Sequence, residues 1–207
     1  DFIKGGSDRI SYGIFAKGGG ARNVLEQNIV ICEHLLRAPG QRVGMSLGGG
    51  GTGKQYCRDG RCITEQDDSI VRSNLIASCS DDGIYLNSAA RSIVSHNTVL
   101  DTGGIVVRFA ESSADIEGNL VDSAIRSRDG GVLRAKDNFD TSITALYAGR
   151  HPVRALFSGA SVAELVWNGE PPRRKEQPGK PAPDLCGAQR PALPSYGAFE
   201  SLAACKR

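Results

Sequence analysis

An asparagine returns at nearly regular intervals along this chain, and no total constrains the fold as much. It sits in NVLEQNIVI, SIVRSNLIA, RSIVSHNTVL, ADIEGNLV and RAKDNFD, at Asn28, Asn74, Asn97, Asn119 and Asn138. The later intervals are 23, 22 and 19 residues, while the first, 46, is two periods' worth. Three residues before each asparagine stand Leu25, Val71, Val94, Ile116 and Ala135. Two residues after it stand Val30, Ile76, Val99 and Val121, until Asp140 breaks the pattern in the fifth copy.

A second short segment recurs between the asparagines: GIFAKGGG, GMSLGGGG, GIYLNSAA, GIVVRFAE and AIRSRDGG. Alternation along a strand sends Ile14, Met45, Ile84, Ile105 and Ile125 to one face, together with Ala16, Leu47, Leu86, Val107 and Ser127. A unit of about 22 residues with two or three short strands cannot bury its apolar side alone, but stacked copies can. The expected fold is all-β, a right-handed parallel β-helix, with the asparagines forming a ladder at one turn, where asparagine tolerates a left-handed backbone. Helical stripes and the leucine-rich-repeat consensus are both absent.

GMSLGGGGTGK places Gly48, Gly53 and Lys54 on the frame of a phosphate-binding loop. That loop needs serine or threonine after the lysine and a helix behind it. Gln55 follows instead, then Tyr56 and a cysteine-bounded turn, so no nucleotide is expected. The glycines are read as leaving the coil for an insertion over 49–68. A net charge of +2 gives no global field for nucleic acid, and no apolar run approaches the length of a membrane span. Six cysteines point to disulfides and an oxidising compartment, secreted or periplasmic. Cys57 and Cys62 bracket a turn and are expected to pair. Cys32 and Cys79 fall in consecutive coils and are a plausible second pair, with buried thiols as the alternative.

Four stretches carry a family likeness: KGGGARNVLEQN (17–28), GMSLGGGGTG (44–53), DDGIYLNSAARSIVSHNTV (81–99) and DLCGAQRPALPSYGAFE (184–200). They resemble the pectate-lyase-like β-helix proteins related to polysaccharide lyases such as chondroitinase B and alginate lyases. The resemblance implies a lysine base, an assisting arginine one turn on, and acidic residues that bind calcium. Lys17 takes the lysine's setting, and the same column one turn later holds Gly48.

Outward columns are where function is expected, since packing uses the inward ones. One wall presents Lys17, Asn87, Arg108 and Arg128 in one column, and Tyr85 and Arg126 in the next; Arg42 lies nearby in sequence. Arginine forks suit the carboxylates of an acidic polysaccharide, and a tyrosine can pack on a sugar. β-Elimination needs a base and a cation that neutralises a carboxylate. Lys17 and Tyr85 are candidate bases, and Arg108 and Arg126 candidate cations. Arg42, Asn87 and Arg128 are candidate binding residues. His34 and His96 are the other candidates for the chemistry, with His96 read as a turn or surface residue and His34, at a coil corner, as readily structural. Asp81 and Asp82 are candidates for calcium if a turn converges them. The alternatives are a binding or adhesive module without catalysis, a fragment of a larger enzyme, and a wall of solvated charges separated by Asp81, Asp122 and Asp129.

Residues 1–150 are read as the coils and 151–207 as a cap and tail of the same domain. VRALFSGASVAELVW is expected to form a capping helix or a last coil, 168–183 an extended surface loop, and Cys186 with Cys205 to tie the tail down. The chain opens at Asp1 almost inside a coil, so an upstream segment or a partner is expected over that end.

Overall fold

The computed structural model describes residues 10–33, 40–57, 59–159, 162–177 and 179–201. His34 and Cys205 lie outside these residues, as does the segment before Ile10. Five coils build three parallel sheets. The first stacks Ser11–Ala16, Arg42–Gly48, Ile84–Asn87, Ile105–Arg108 and Ile125–Arg128. The second stacks Val24–Glu26, Ile70–Arg72, Ser92–Ser95, Ser113–Glu117 and Val132–Lys136. The third stacks Ile29–Ile31, Leu75–Ala77, Thr98–Leu100, Leu120–Val121 and Phe139–Asp140. A short ladder of Gly20–Ala21, Gln66–Asp67 and Ala89–Ala90 lies between the first and second sheets.

The interior is the one the repeat calls for. Ile14, Met45, Ile84, Ile105 and Ile125 are successive register partners, and so are Ala16, Leu47, Leu86, Val107 and Ser127. Met45, Ile84 and Ile105 have no exposed surface. Asp140 takes the register of Val121 but sits in the last coil, where it is exposed and its carboxylate can reach water.

The asparagine ladder has one direction. Oδ1 of each asparagine accepts from the backbone N–H and Nδ2 of the asparagine one coil earlier, as in Asn97 with Asn74 at 3.1 and 2.9 Å and Asn119 with Asn97 at 2.9 and 3.0 Å. Nδ2 also donates into the preceding coil, from Asn97 to the Val71 carbonyl and from Asn119 to that of Val94. The left-handed residue at this turn is not the asparagine, as the sequence suggested, but the one before it: Gln27, Ser73, His96, Gly118 and Asp137. The asparagines keep ordinary backbone and give their side chains to the ladder.

The 46-residue interval is one coil, not two. Asn28 donates directly to Asn74, and Leu25 pairs with Val71. The extra length leaves the ladders in two places, between Ile31 and Arg42 and between Gly48 and Gln66. The second insertion ends earlier than position 68, because Gln66–Asp67 is already a strand. Cys32 and Cys79 are bridged across adjacent coils with a Cα–Cα distance of 4.8 Å, and Cys57 and Cys62 close the insertion's turn.

The C-terminal segment differs most from expectation. After a five-residue helix, Ile143–Tyr147, capped by Ser142 Oγ, it forms two 3-10 turns and an antiparallel pair, Phe157–Ser158 with Val166–Trp167. It lies along the outward face of the third sheet, where Leu75, Ala77, Leu100 and Leu120 pack against Val153, Phe157, Leu165, Tyr196 and Phe199. The middle strands of the third sheet are therefore buried on both faces, which is why LIA reads as an unbroken apolar run. At the last coil Ile125 and Leu133 are only partly buried and Val132 is exposed.

DLCGAQRPALPSYGAFE is the clamp that docks this tail. Asp184 accepts the N–H groups of Cys186, Ala188 and Glu200. Arg190, buried, donates to the carbonyls of Gly197 and Ala198 and pairs with Glu200 at 3.2 Å. Gly197 has φ +87°, and a Cβ there would run into Thr98 Oγ1. The tail then touches every coil. Gln27 and Ser73 donate to the carbonyls of Asp184 and Pro183, Ala198 N–H donates to Thr98, Gly197 N–H donates to the Gly118 carbonyl, and Arg174 pairs with Asp137 at 2.7 Å.

Candidate functional site

The predicted wall forms on the outward face of the first sheet. Gly48, Asn87, Arg108 and Arg128 are register partners, and so are Phe15, Ser46, Tyr85, Val106 and Arg126. Three of the proposed site residues meet. Tyr85 Oη accepts from Asn87 Nδ2 and from Arg108 Nη1, each at 3.2 Å. Asp129 Oδ2, 2.5 Å from Arg108 Nε, steadies the guanidinium, which also lies over the Phe109 ring.

The remaining residues depart from an open cationic stripe. Lys17 does not join the cluster; it is exposed, with Nζ 3.4 Å from the Gly50 carbonyl. Arg128 is exposed. Arg126 donates to the Gly103 carbonyl and pairs with Asp82 at 2.9 Å. Arg42 is only 1 % exposed, so it is no part of a surface that a bound chain would touch. Its strand, Arg42–Gly48, is buried on both faces, with Val43 packed against Tyr85 and Val106 on the outer side. Asp122 is not on this wall; it lies in the turn after the third sheet.

The glycine insertion overlies the middle of the wall. Gly48 has φ +68°, and a Cβ there would collide with the Asn87 carbonyl. The loop's N–H groups do converge on an anion, but that anion is internal. Glu65 accepts from Gly49 and Gly50 at 2.9 and 3.0 Å and from Thr52 at 3.0 Å. The donors that a phosphate would need are engaged by a carboxylate of the same chain. Replacing Glu65 by Gln is expected to cost about 2 kcal/mol, the scale for hydrogen bonds to a charged group, and to speed proteolysis between residues 49 and 56. Thermal melting and limited digestion read the two effects; unchanged digestion would mean the loop holds itself.

A family model described as the right handed beta helix region matches residues 7–144. The chain belongs to the right-handed β-helix family. No curated protein and no solved structure matches it.

In this β-helix protein the acidic pair does not fit calcium. Asp82 is 4 % exposed and is taken by Arg126, a cation where a metal would have to sit. Burial, then the charge of Asp81, pushes the Asp82 carboxyl up to about 6, against the pull of Arg126 and Arg128. No group of three His, Cys, Asp or Glu with metal-binding geometry occurs among the described residues. Two residues at the site escaped the sequence reading. Glu65 gave no signal, because its partners are backbone groups. Tyr12 is raised above the usual phenol range by burial, then by Tyr85, Asp81 and Glu65, which places it in the same cluster. It precedes the repeated segment, so no column pointed to it.

Proposed function

We propose that this β-helix protein acts on an acidic polysaccharide laid across the outward face of the first sheet, by β-elimination. The observation that carries the reading is the phenol of Tyr85, which accepts hydrogen bonds from Asn87 and from the Arg108 guanidinium. The Arg108 bond places this oxygen beside a positive charge. Elimination needs a group that removes the proton next to a carboxylate and a cation that stabilises the charge developing there. Tyr85, as its phenolate, takes the proton from the carbon beside the carboxylate; the double bond forms as the bond to the glycosidic oxygen breaks, and the phenol returns the proton to that departing oxygen, while Arg108 neutralises the carboxylate. Asn87 positions the phenol. Lys17 and Arg128, exposed at the two ends of their column, bind flanking carboxylates. The Cys32–Cys79 and Cys57–Cys62 disulfides suit a secreted or periplasmic setting.

A binding module without turnover is the second reading. Its support is that Tyr85 is only 6 % exposed and that Arg108 is already paired with Asp129. Incubation with alginate, chondroitin and pectate, followed by ultraviolet absorbance of the unsaturated product, separates the two. Product should form on one of them, and Tyr85→Phe should lower the rate at least tenfold with the melting temperature unchanged. Equal rates from the variant would remove Tyr85 from the chemistry. Saturable binding without product would establish the second reading.

A further inference from the structure

A groove of about 670 Å³ opens on another side of the molecule, where the turns after the third sheet meet the C-terminal segment. Its polar lining includes Glu33, Asp101, Asp122 and His151. Its apolar lining includes Leu100, Leu146 and Leu165. The volume lies in the range typical of small-molecule sites.

Asp122 is the unusual member. It is 6 % exposed, yet its Oδ1 has no hydrogen-bond partner among the described residues. His151 Nδ1 is 3.5 Å away, beyond good hydrogen-bond length, and its side chain is half exposed at the rim. A buried acceptor without a donor is costly, and such a group in a folded protein calls for a ligand, an ion or a water. The surroundings select among ligands. Burial pushes the Asp122 carboxyl up, against the charge of His151, the approach of the Arg154 backbone N–H and that of the His151 ring, and the charge of Asp101 adds a smaller push upward. The Arg154 guanidinium, also in the groove's lining, is directed to the Phe157 carbonyl. Among the described residues of the lining, carboxylates therefore outnumber the cations free to meet them, beside a leucine-lined surface.

We propose that this groove binds a small ligand carrying an ammonium or guanidinium group on an alkyl body, with Asp122 Oδ1 as its anchor. The cation donates to Asp122 and sits near Asp101, and the alkyl part lies against Leu100, Leu146 and Leu165. This site is independent of the first-sheet wall.

Ligand-observed NMR with agmatine, n-butylamine and the neutral n-butanol tests it. Both cations should bind saturably and move the His151 ring resonances, and n-butanol should bind at least tenfold more weakly. Asp122→Asn should weaken both cations at least tenfold. The proposal is overturned if neither cation saturates, if n-butanol binds as well as they do, or if the His151 signals stay still while another site responds. The wild-type comparison decides the matter even if Asp122→Asn does not fold.

Discussion

Replacing Asn97 by alanine is expected to cost about 4 kcal/mol, from several interior polar groups orphaned at roughly 1–3 kcal/mol each. Asn97 has no exposed surface. Its Oδ1 is the acceptor for both the N–H and Nδ2 of Asn74, and its Nδ2 is a donor to Val71. Alanine removes all of these at once, in a turn with no route for water. The same change at Asn138, which is partly exposed in the last coil, should cost only about 1 kcal/mol because solvent replaces the lost partners. Urea titration of the two variants gives the comparison. Equal, small losses would mean that the coils hold their register by apolar packing alone.

The second large effect is on acid stability. His96 is buried, and its ring is pushed from 6.5 down to about 3, by burial first and then by the charges of Arg190 and Arg174; the hydrogen bond it donates to Gln177 and the carboxylate of Asp137 only partly oppose this. A group with a depressed cationic pKa folds neutral. The unfolded chain takes up a proton below pH 6.5 that the folded one refuses until about pH 3, so stability falls as pH drops through that window. At pH 4 the loss from His96 is roughly 3 kcal/mol, at 1.36 kcal/mol per pKa unit. Asp137 adds to it, since the bonds from Tyr196 and Arg174 hold it below the usual carboxylate range despite its burial. Asp82 acts the other way: raised to about 6, it gains stability as pH falls from there toward 3.8. The difference between wild type and His96→Gln isolates the histidine. Their melting temperatures should converge as pH falls from 7 to 4, and a constant gap would show that His96 titrates normally.

The interior was legible because alternation is a local property. Ile84, Ile105 and Ile125 announce their shared face, and the spacing of Asn74, Asn97 and Asn119 announces the coil. What covers the outer face was not legible. Tyr85 alternates outward as a surface residue would, yet it is buried, packed against Val43 and Tyr12 from other coils. The 46-residue interval misled for a related reason: loops that leave a ladder add length without adding a register partner. His96 was rightly placed in a turn, but the tail that buries it is 78 residues further on, at Arg174, with no periodic relation to it. Of the candidate site, the columns could be read and the pairings could not, since Asp82 with Arg126 joins residues two coils apart.

A stack of coils in which each touches only its neighbours would unravel from either end, one winding at a time. Here the clamp around Asp184 and Arg190 bonds to residues of all five windings, from Gln27 to Asp137. Peeling off the first or last winding therefore means breaking a brace that the other windings share. The molecule should melt in a single step, because its C-terminal segment holds windings more than a hundred residues earlier in the chain.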